Sequence, residues 1–306
     1  MSIPLPEIAA RIFDPARLCV DAGKAAAIVG ALGPRILGGP KIAIVGAEAI
    51  EHRAFENGRP SAGLLGDRTG RALDRRRLEA FDRIGPIAVI PIEGTLVHKG
   101  AYIGASSGRT SYEGLQAQIV RAGKDSSVKG ICFEVDSFGG EVDGMFAAAE
   151  AIARLSAEKP TLAILTDHGL SAAYALASAA RQIIVPEHGS IGSIGAISLH
   201  ADMTKRLEKE GVRVTVLRAG ARKAEGNEFE VLSKEAAAAI QTDLERIRQS
   251  FADMVGRNRR GRFSARQALM TEAASFDGRD AVAMGMADAY GHPGEAFAEF
   301  IRLMSK

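Results

Sequence analysis

The chain has 306 residues, 46% hydrophobic and 25% charged, with 34 glycines, no tryptophan and a net charge of +2. That length and balance describe a globular chain with room for one large domain and an appendage, and the near-neutral charge gives no basis for nucleic-acid binding. The two cysteines, Cys19 and Cys132, offer neither a disulfide framework nor a zinc spacing, and no apolar run approaches the ~20 residues that span a bilayer; a cytoplasmic chain without a membrane span, metal or cofactor is expected.

Residues 1–80 differ in texture from the rest and are read as a mostly helical N-terminal extension and linker. Glu7, Asp14 and Asp21 interrupt any signal-peptide pattern. A helical stretch is expected over 15–32, then a weak apolar segment near 41–50. The Gly/Arg-rich passage ENGRPSAGLLGDRTGR reads as a linker, and RALDRRRLEAF as a short charged helix.

From residue 81 to 306 a single α/β domain is expected. GPIAVIPIEG is β-rich and bounded by glycines, SYEGLQAQIVRAGKD has helical spacing, and GICFEVD is a strand too apolar to face water. A helix is expected over 142–155, then the buried strand PTLAILT, a polar turn at Asp167-His168-Gly169 and an alanine-rich helix. QIIVP, AISL and VRVTVLR read as further strands, with a helix in ADMTKRLEKEGV. A long amphipathic helix covers 233–257, and short helices lie in SARQALMTEA and DGRDAVAMG. The dense basic run Arg257-Asn258-Arg259-Arg260-Gly261-Arg262 reads as a solvated loop. Apolar strands alternating with helices indicate largely buried sheets.

Three places carry possible chemistry. Gly139-Gly140, in DSFGGEVDG after a buried strand, would let the backbone turn tightly and expose N–H groups to a developing oxyanion. Ser171, where PTLAILTDHGL meets the alanine helix, is either an N-cap or a nucleophile with small neighbours; the N–H of Ala172 would then be a second oxyanion donor. The base is open between His168, His188 and Lys223, the last in the glycine-containing stretch RAGARKAEGN. Lysine serves as a base only where burial disfavours its charged form, and spacing alone does not choose among the three.

The order DSFGG, GLSAAYALASAA, GSIGSIGA, AGARKAEGNEFE and FDGRDAVAMGMADAYG resembles the S49 family of serine peptidases over about residues 85–292. That family includes signal peptide peptidase A and the protein C type capsid-assembly proteases of tailed bacteriophages. The resemblance implies a Clp/crotonase-type fold of repeated β-β-α units and a Ser/Lys dyad. It makes Ser171 the nucleophile, Lys223 the base and Ser193 the residue that orients the lysine. Gly140 and Ala172, with Gly139 beside them, become the oxyanion hole. Two departures stand out: Phe138 replaces the usual proline of the turn, and Ala172-Ala173 follow the serine where a glycine-containing pair is usual.

The N-terminal stretch and the segment 196–230 look closest to the phage branch. The resemblance therefore implies a capsid-assembly protease or a soluble signal-peptide-peptidase-like protein with polypeptide substrates, among them scaffold or portal protein and the chain itself, a location in the cytoplasm or procapsid, and a homo-oligomer. A Clp-like Ser/His peptidase with His188 as base, a crotonase-type acyl-CoA enzyme and an inactive assembly component are the rival readings.

Overall fold

The computed structural model describes residues 18–20, 79–100 and 108–306. The chain forms β1 (Leu18–Val20), β2 (Asp82–Ile84), β3 (Ile87–Glu93), β4 (Thr95–Val97), β5 (Arg109–Ser111) and α1 (Tyr112–Lys124). Then come β6 (Gly130–Ser137), β7 (Gly139–Glu141), α2 (Met145–Glu158), β8 (Thr161–Leu170), α3 (Ala172–Ser178), β9 (Gln182–Val185) and β10 (Ser190–Gly192). The last third holds α4 (Thr204–Lys209), α5 (Lys234–Asn258), α6 (Ala265–Met270), β11 (Ser275–Asp277), α7 (Gly278–Met284), β12 (Ala289–Tyr290) and α8 (Pro293–Met304).

The strands make two sheets. The larger has the order β11-β10-β8-β6-β3-β2, with β9 added on β8 and β12 on β9. The smaller has the order β1-β7-β4-β5. Successive β-β-α units build both at once: β3 enters the large sheet, β4 and β5 the small one, and α1 follows; β6 and β7 divide in the same way before α2. The alternating apolar strands and helices indicate this α/β arrangement, and its repeated β-β-α units are those that the family resemblance implies.

Burial on both faces explains the unbroken apolar runs. In β3, Ala88, Ile90 and Ile92 join the main core with Phe133, Leu165, Tyr174 and Phe251. The alternate residues Ile87 and Val89 turn to the other face and meet Phe300 and the partly buried Phe297 and Ile301 of α8. A period of two along each strand divides its side chains between the two layers.

The large sheet forks at β8. Its first half pairs in parallel with β9 through Leu162, Ala163 and Ile164. Its last residues pair in parallel with β10 through His168, Gly169 and Leu170. The fork delivers the end of β8 and the start of α3 to the small sheet, where the site lies.

Four expectations need correction. Asp167-His168-Gly169 is no turn but the continuation of β8, and the chain turns at Ser171 itself. Leu18–Val20 is a strand rather than part of a helix, because its partners are Gly139–Glu141 and Ile197; tertiary pairing overrides local periodicity there. The rest of the 15–32 stretch, the 41–50 segment and most of 56–81 lie outside the described residues. AISL contributes one bridge at Ile197, and VRVTVLR forms no strand, leaving Leu217 90% exposed; among the described residues no strand lies beside VRVTVLR to give it a ladder. The basic run is not all solvated either: Arg259 is fully buried, its Nη1 2.8 Å from Asp288 Oδ2.

Candidate active site

Ser171 sits between β8 and α3 with φ 53° and ψ −118°. A residue with a Cβ resists that backbone conformation, at a cost of order 1–3 kcal/mol, and the chain makes a sharp strand-to-helix turn there. The turn is held by the Ser171 N–H, which donates to the Gly192 carbonyl at 2.7 Å. The side chain makes no capping bond to the helix. Its Oγ is buried and has no hydrogen-bond partner among the described residues. A hydroxyl buried in that way forgoes stabilisation that a capping serine would gain.

Gly139 and Gly140 are the first two residues of β7, which passes beside Ser171. Gly139 has φ 98°, and its N–H donates to Ser137 Oγ at 3.1 Å. A methyl group on Gly139 would lie 2.2 Å from the Cys19 carbonyl oxygen, 3.0 Å from Ser171 Cβ and 3.1 Å from the Ala172 nitrogen. These groups therefore converge on one point, and only glycine leaves that point open. A methyl group on Gly140 would stand 1.9 Å from the Leu96 carbonyl oxygen, because β4 runs alongside.

The segment Leu18–Val20 occupies the groove between β7 and Ile197. Leu18 exchanges both backbone bonds with Ile197, at 2.9 and 2.8 Å. Cys19 is paired with Gly140 on the other side. Its thiol is pushed up to about 12 by burial, with a smaller opposing pull from the Ser171 hydroxyl. The two groups are thus neighbours, though without the alignment of a formed hydrogen bond. Tyr112, also buried, is raised well above the ordinary tyrosine value by desolvation and then by Cys19 and Glu141.

Ser193 follows β10, is buried and has φ 55°. Its N–H donates to the Ala274 carbonyl at 3.0 Å. Lys223 lies in an exposed turn, its N–H donating to the Gly220 carbonyl at 3.1 Å. The structure brings Ser171, Ala172, Gly139 and Gly140 together and joins the start of the Ser193 turn to them through Gly192. Among the described residues, neither the Lys223 amine nor a histidine ring is within hydrogen-bond reach of Ser171 Oγ.

Phe138, in place of the usual proline, stacks on His168 with ring centroids 4.3 Å apart and planes 28° from parallel. His168 Nδ1 lies 3.2 Å from Asp167 and 3.5 Å from Asp136. His188 is exposed. The residues missed from the sequence are Leu18, Cys19, Val20 and Ile197. In sequence Leu18–Val20 is only a short apolar run between Arg17 and Asp21, with no local signal that separates strand from helix.

Residues 153–304 match the model of Peptidase family S49. Over this span the chain belongs to peptidase family S49. The chain is 36% identical over 214 residues to the Head-tail preconnector protein GP5 of Enterobacteria phage P21, covering 70% of this chain and 42% of that protein. It is 35% identical over 213 residues to Capsid assembly protease C of Escherichia phage lambda, covering 70% and 48%. A putative signal peptide peptidase SppA of Enterococcus faecium is 25% identical over 214 residues, covering 69% and 61%. The chain thus spans less than half the length of the two phage relatives.

Solved structures with a similar outline include a ClpP1 point mutant from Listeria monocytogenes, with TM-score 0.40, 11% identity and coverage of 67% of this chain and 91% of that one. An enoyl-CoA hydratase/isomerase family member has TM-score 0.42, 16% identity and coverage of 73% and 74%. Among the described residues of the S49 chain, no helix is long and apolar enough to cross a membrane, and no group of three or more histidine, cysteine or acidic side chains is placed to hold a metal ion.

Proposed function

We propose that the chain is a serine endopeptidase in which Ser171 attacks the peptide carbonyl and Lys223 accepts the hydroxyl proton. The observation that carries this reading is Ser171 itself, strained in its backbone, with a buried hydroxyl unpartnered among the described residues and its Cβ beside Gly139 and the Ala172 nitrogen. Strain and an unmade hydrogen bond at one residue are features that folding alone does not reward, and they gather at reacting groups. The N–H groups of Gly140 and Ala172 would stabilise the oxyanion, a contribution of about 3 kcal/mol for a single donor in acyl transfer. Gly139, its own N–H engaged by Ser137, keeps the approach open.

Lys223 completes the dyad only by entering the cleft. An exposed amine keeps its proton at neutral pH, whereas burial against Ser171 would favour the neutral base. Ser193 would then orient it. The exposed apolar side chains Val212, Val214, Leu217, Phe229 and Val231 flank the Lys223 turn. Burying them against further copies of the chain would order that turn and exclude water from the amine, which is the physical case for a homo-oligomeric enzyme.

The phage relatives support capsid-assembly polypeptides, scaffold or portal protein among them, as natural substrates. The test is a proteomic cleavage profile of wild type against Ser171→Ala in the presence of such proteins. Cleavage should vanish with the hydroxyl, because loss of the nucleophile leaves only binding and oxyanion effects. Equal cleavage by a clean Ser171→Ala preparation would remove Ser171 from the mechanism.

A further inference from the structure

The groove beside Ser171 is filled by the chain itself. An extended segment held between two strands is bound through its main chain, with side chains alternating into pockets. Leu18–Val20 has that form: β7 lies on one side, in antiparallel register, and Ile197 on the other. Since Leu18 gives both of its backbone groups to Ile197, the alternation of an antiparallel ladder turns those of Cys19 toward its partner Gly140. The Cys19 carbonyl then faces the Gly140 N–H, the donor assigned to the oxyanion. Its oxygen also lies near the point shared by Ser171 Cβ and the Ala172 nitrogen.

The side chains obey the same register. Cys19 points into the protein, is fully buried and joins the main core. Leu18 and Val20 turn the other way and pack with Ile197. A small apolar side chain thus fills the pocket directly beside the nucleophile, and the bond after it, Cys19–Val20, is the one presented for attack.

We propose that the enzyme cleaves its own chain between Cys19 and Val20, a proposal that rests on Ser171 being the nucleophile. Ser171 Oγ forms a bond to the Cys19 carbonyl carbon as its proton passes to the base, and the carbonyl electron pair moves onto the oxygen held by Gly140 and Ala172. The tetrahedral centre collapses, the C–N bond breaks, and the Val20 nitrogen takes the proton and leaves as an amine. Water then hydrolyses the Cys19–Ser171 ester, restoring the hydroxyl and leaving a carboxylate on Cys19. One water is consumed and no oxidant or reductant is required. Until this happens the segment excludes other polypeptides from the same groove; afterwards its ends are free to leave.

The experiment follows the full-length chain by intact mass and N-terminal sequencing, with casein cleavage measured in the same samples. Wild type should lose residues 1–19 and begin at Val20, while Ser171→Ala should remain whole, slower on the order of 10⁴-fold or more. Cys19→Ala fits the pocket and should still be cut at the same bond. Cys19→Arg would bury an unpaired charge, which expels the segment from the groove; this bond should be cut about 100-fold more slowly, while the vacated groove still degrades casein through Ser171. Wild type that degrades casein in a Ser171-dependent manner yet keeps the Cys19–Val20 bond overturns the proposal and leaves the peptidase reading standing. A new N-terminus elsewhere, or unchanged cutting of Cys19→Arg, overturns it too. Wild type inert toward both itself and casein overturns the nucleophile assignment and the proposal together.

Discussion

Replacing Asp288 by alanine should destabilise the chain by about 3–5 kcal/mol, the range for breaking a buried ion pair from one side. Arg259, at the end of α5, is fully buried, and its Nη1 meets Asp288 Oδ2 at 2.8 Å. Its Nη2 reaches the Gly285 carbonyl at 3.1 Å. Asp288 also accepts from the Ile183 N–H at 2.8 Å and pairs with Arg262 at 2.5 Å. Alanine would leave the Arg259 guanidinium buried with carbonyl contacts alone and the Ile183 N–H without its carboxylate. At about 2–4 °C per kcal/mol for a large domain, the midpoint should fall by roughly 6–20 °C. Differential scanning calorimetry of wild type and Asp288→Ala measures this, with Glu187→Ala, which removes the partner of exposed Arg279, as a control that should barely move. Burial raises the Asp288 carboxyl, but Arg259 and its hydrogen bonds outweigh it and leave the value lowered. A lowered folded value means the stabilisation is present above the unfolded carboxyl value near 3.9 and is lost as pH falls through the folded one. The gap between wild type and Asp288→Ala should therefore stay constant from pH 7 to about 5 and close only in stronger acid. A loss below about 1 kcal/mol, in the range of a surface pair, or a gap that closes near pH 6, would show that the guanidinium finds other partners and refute the reasoning.

Three further outcomes bear on the site. Ser171→Gly and Ser171→Ala should both be inactive, but glycine should be at least as stable as alanine in urea unfolding, because it relieves a strained φ worth about 1–3 kcal/mol; a glycine variant clearly weaker than alanine would argue against strain. Lys223→Arg should be as inactive as Lys223→Ala, since a guanidinium stays protonated, while His168→Ala and His188→Ala keep most activity in a peptide assay; dead histidine variants with an active Lys223→Ala would transfer the role of base to a histidine. Leu217→Asp should shift the assembly toward monomer in light scattering and reduce peptidase activity in parallel; an unchanged assembly would remove the exposed apolar segment from the interface.

Much of the chain could be read before any fold was known. The strands Ile87–Glu93 and Gly130–Ser137 and the buried first half of Thr161–Leu170 announce themselves as apolar runs, because a strand covered on both faces has no polar side to show. Lys234–Asn258 is legible from its helical period, and Ser171 and Gly139-Gly140 from their places at strand ends. What sequence could not supply was pairing. Leu18–Val20 has no local pattern that distinguishes strand from helix; it is a strand because Gly139–Glu141 and Ile197 offer it a ladder. Arg259 looks like any basic loop residue until Asp288, far along the chain, meets it inside. VRVTVLR has the composition of a strand and joins no ladder among the described residues. Composition and period are properties of neighbouring residues and survive in the sequence, whereas a hydrogen-bond partner or a counter-charge brought from a distant position exists only once the chain has closed on itself.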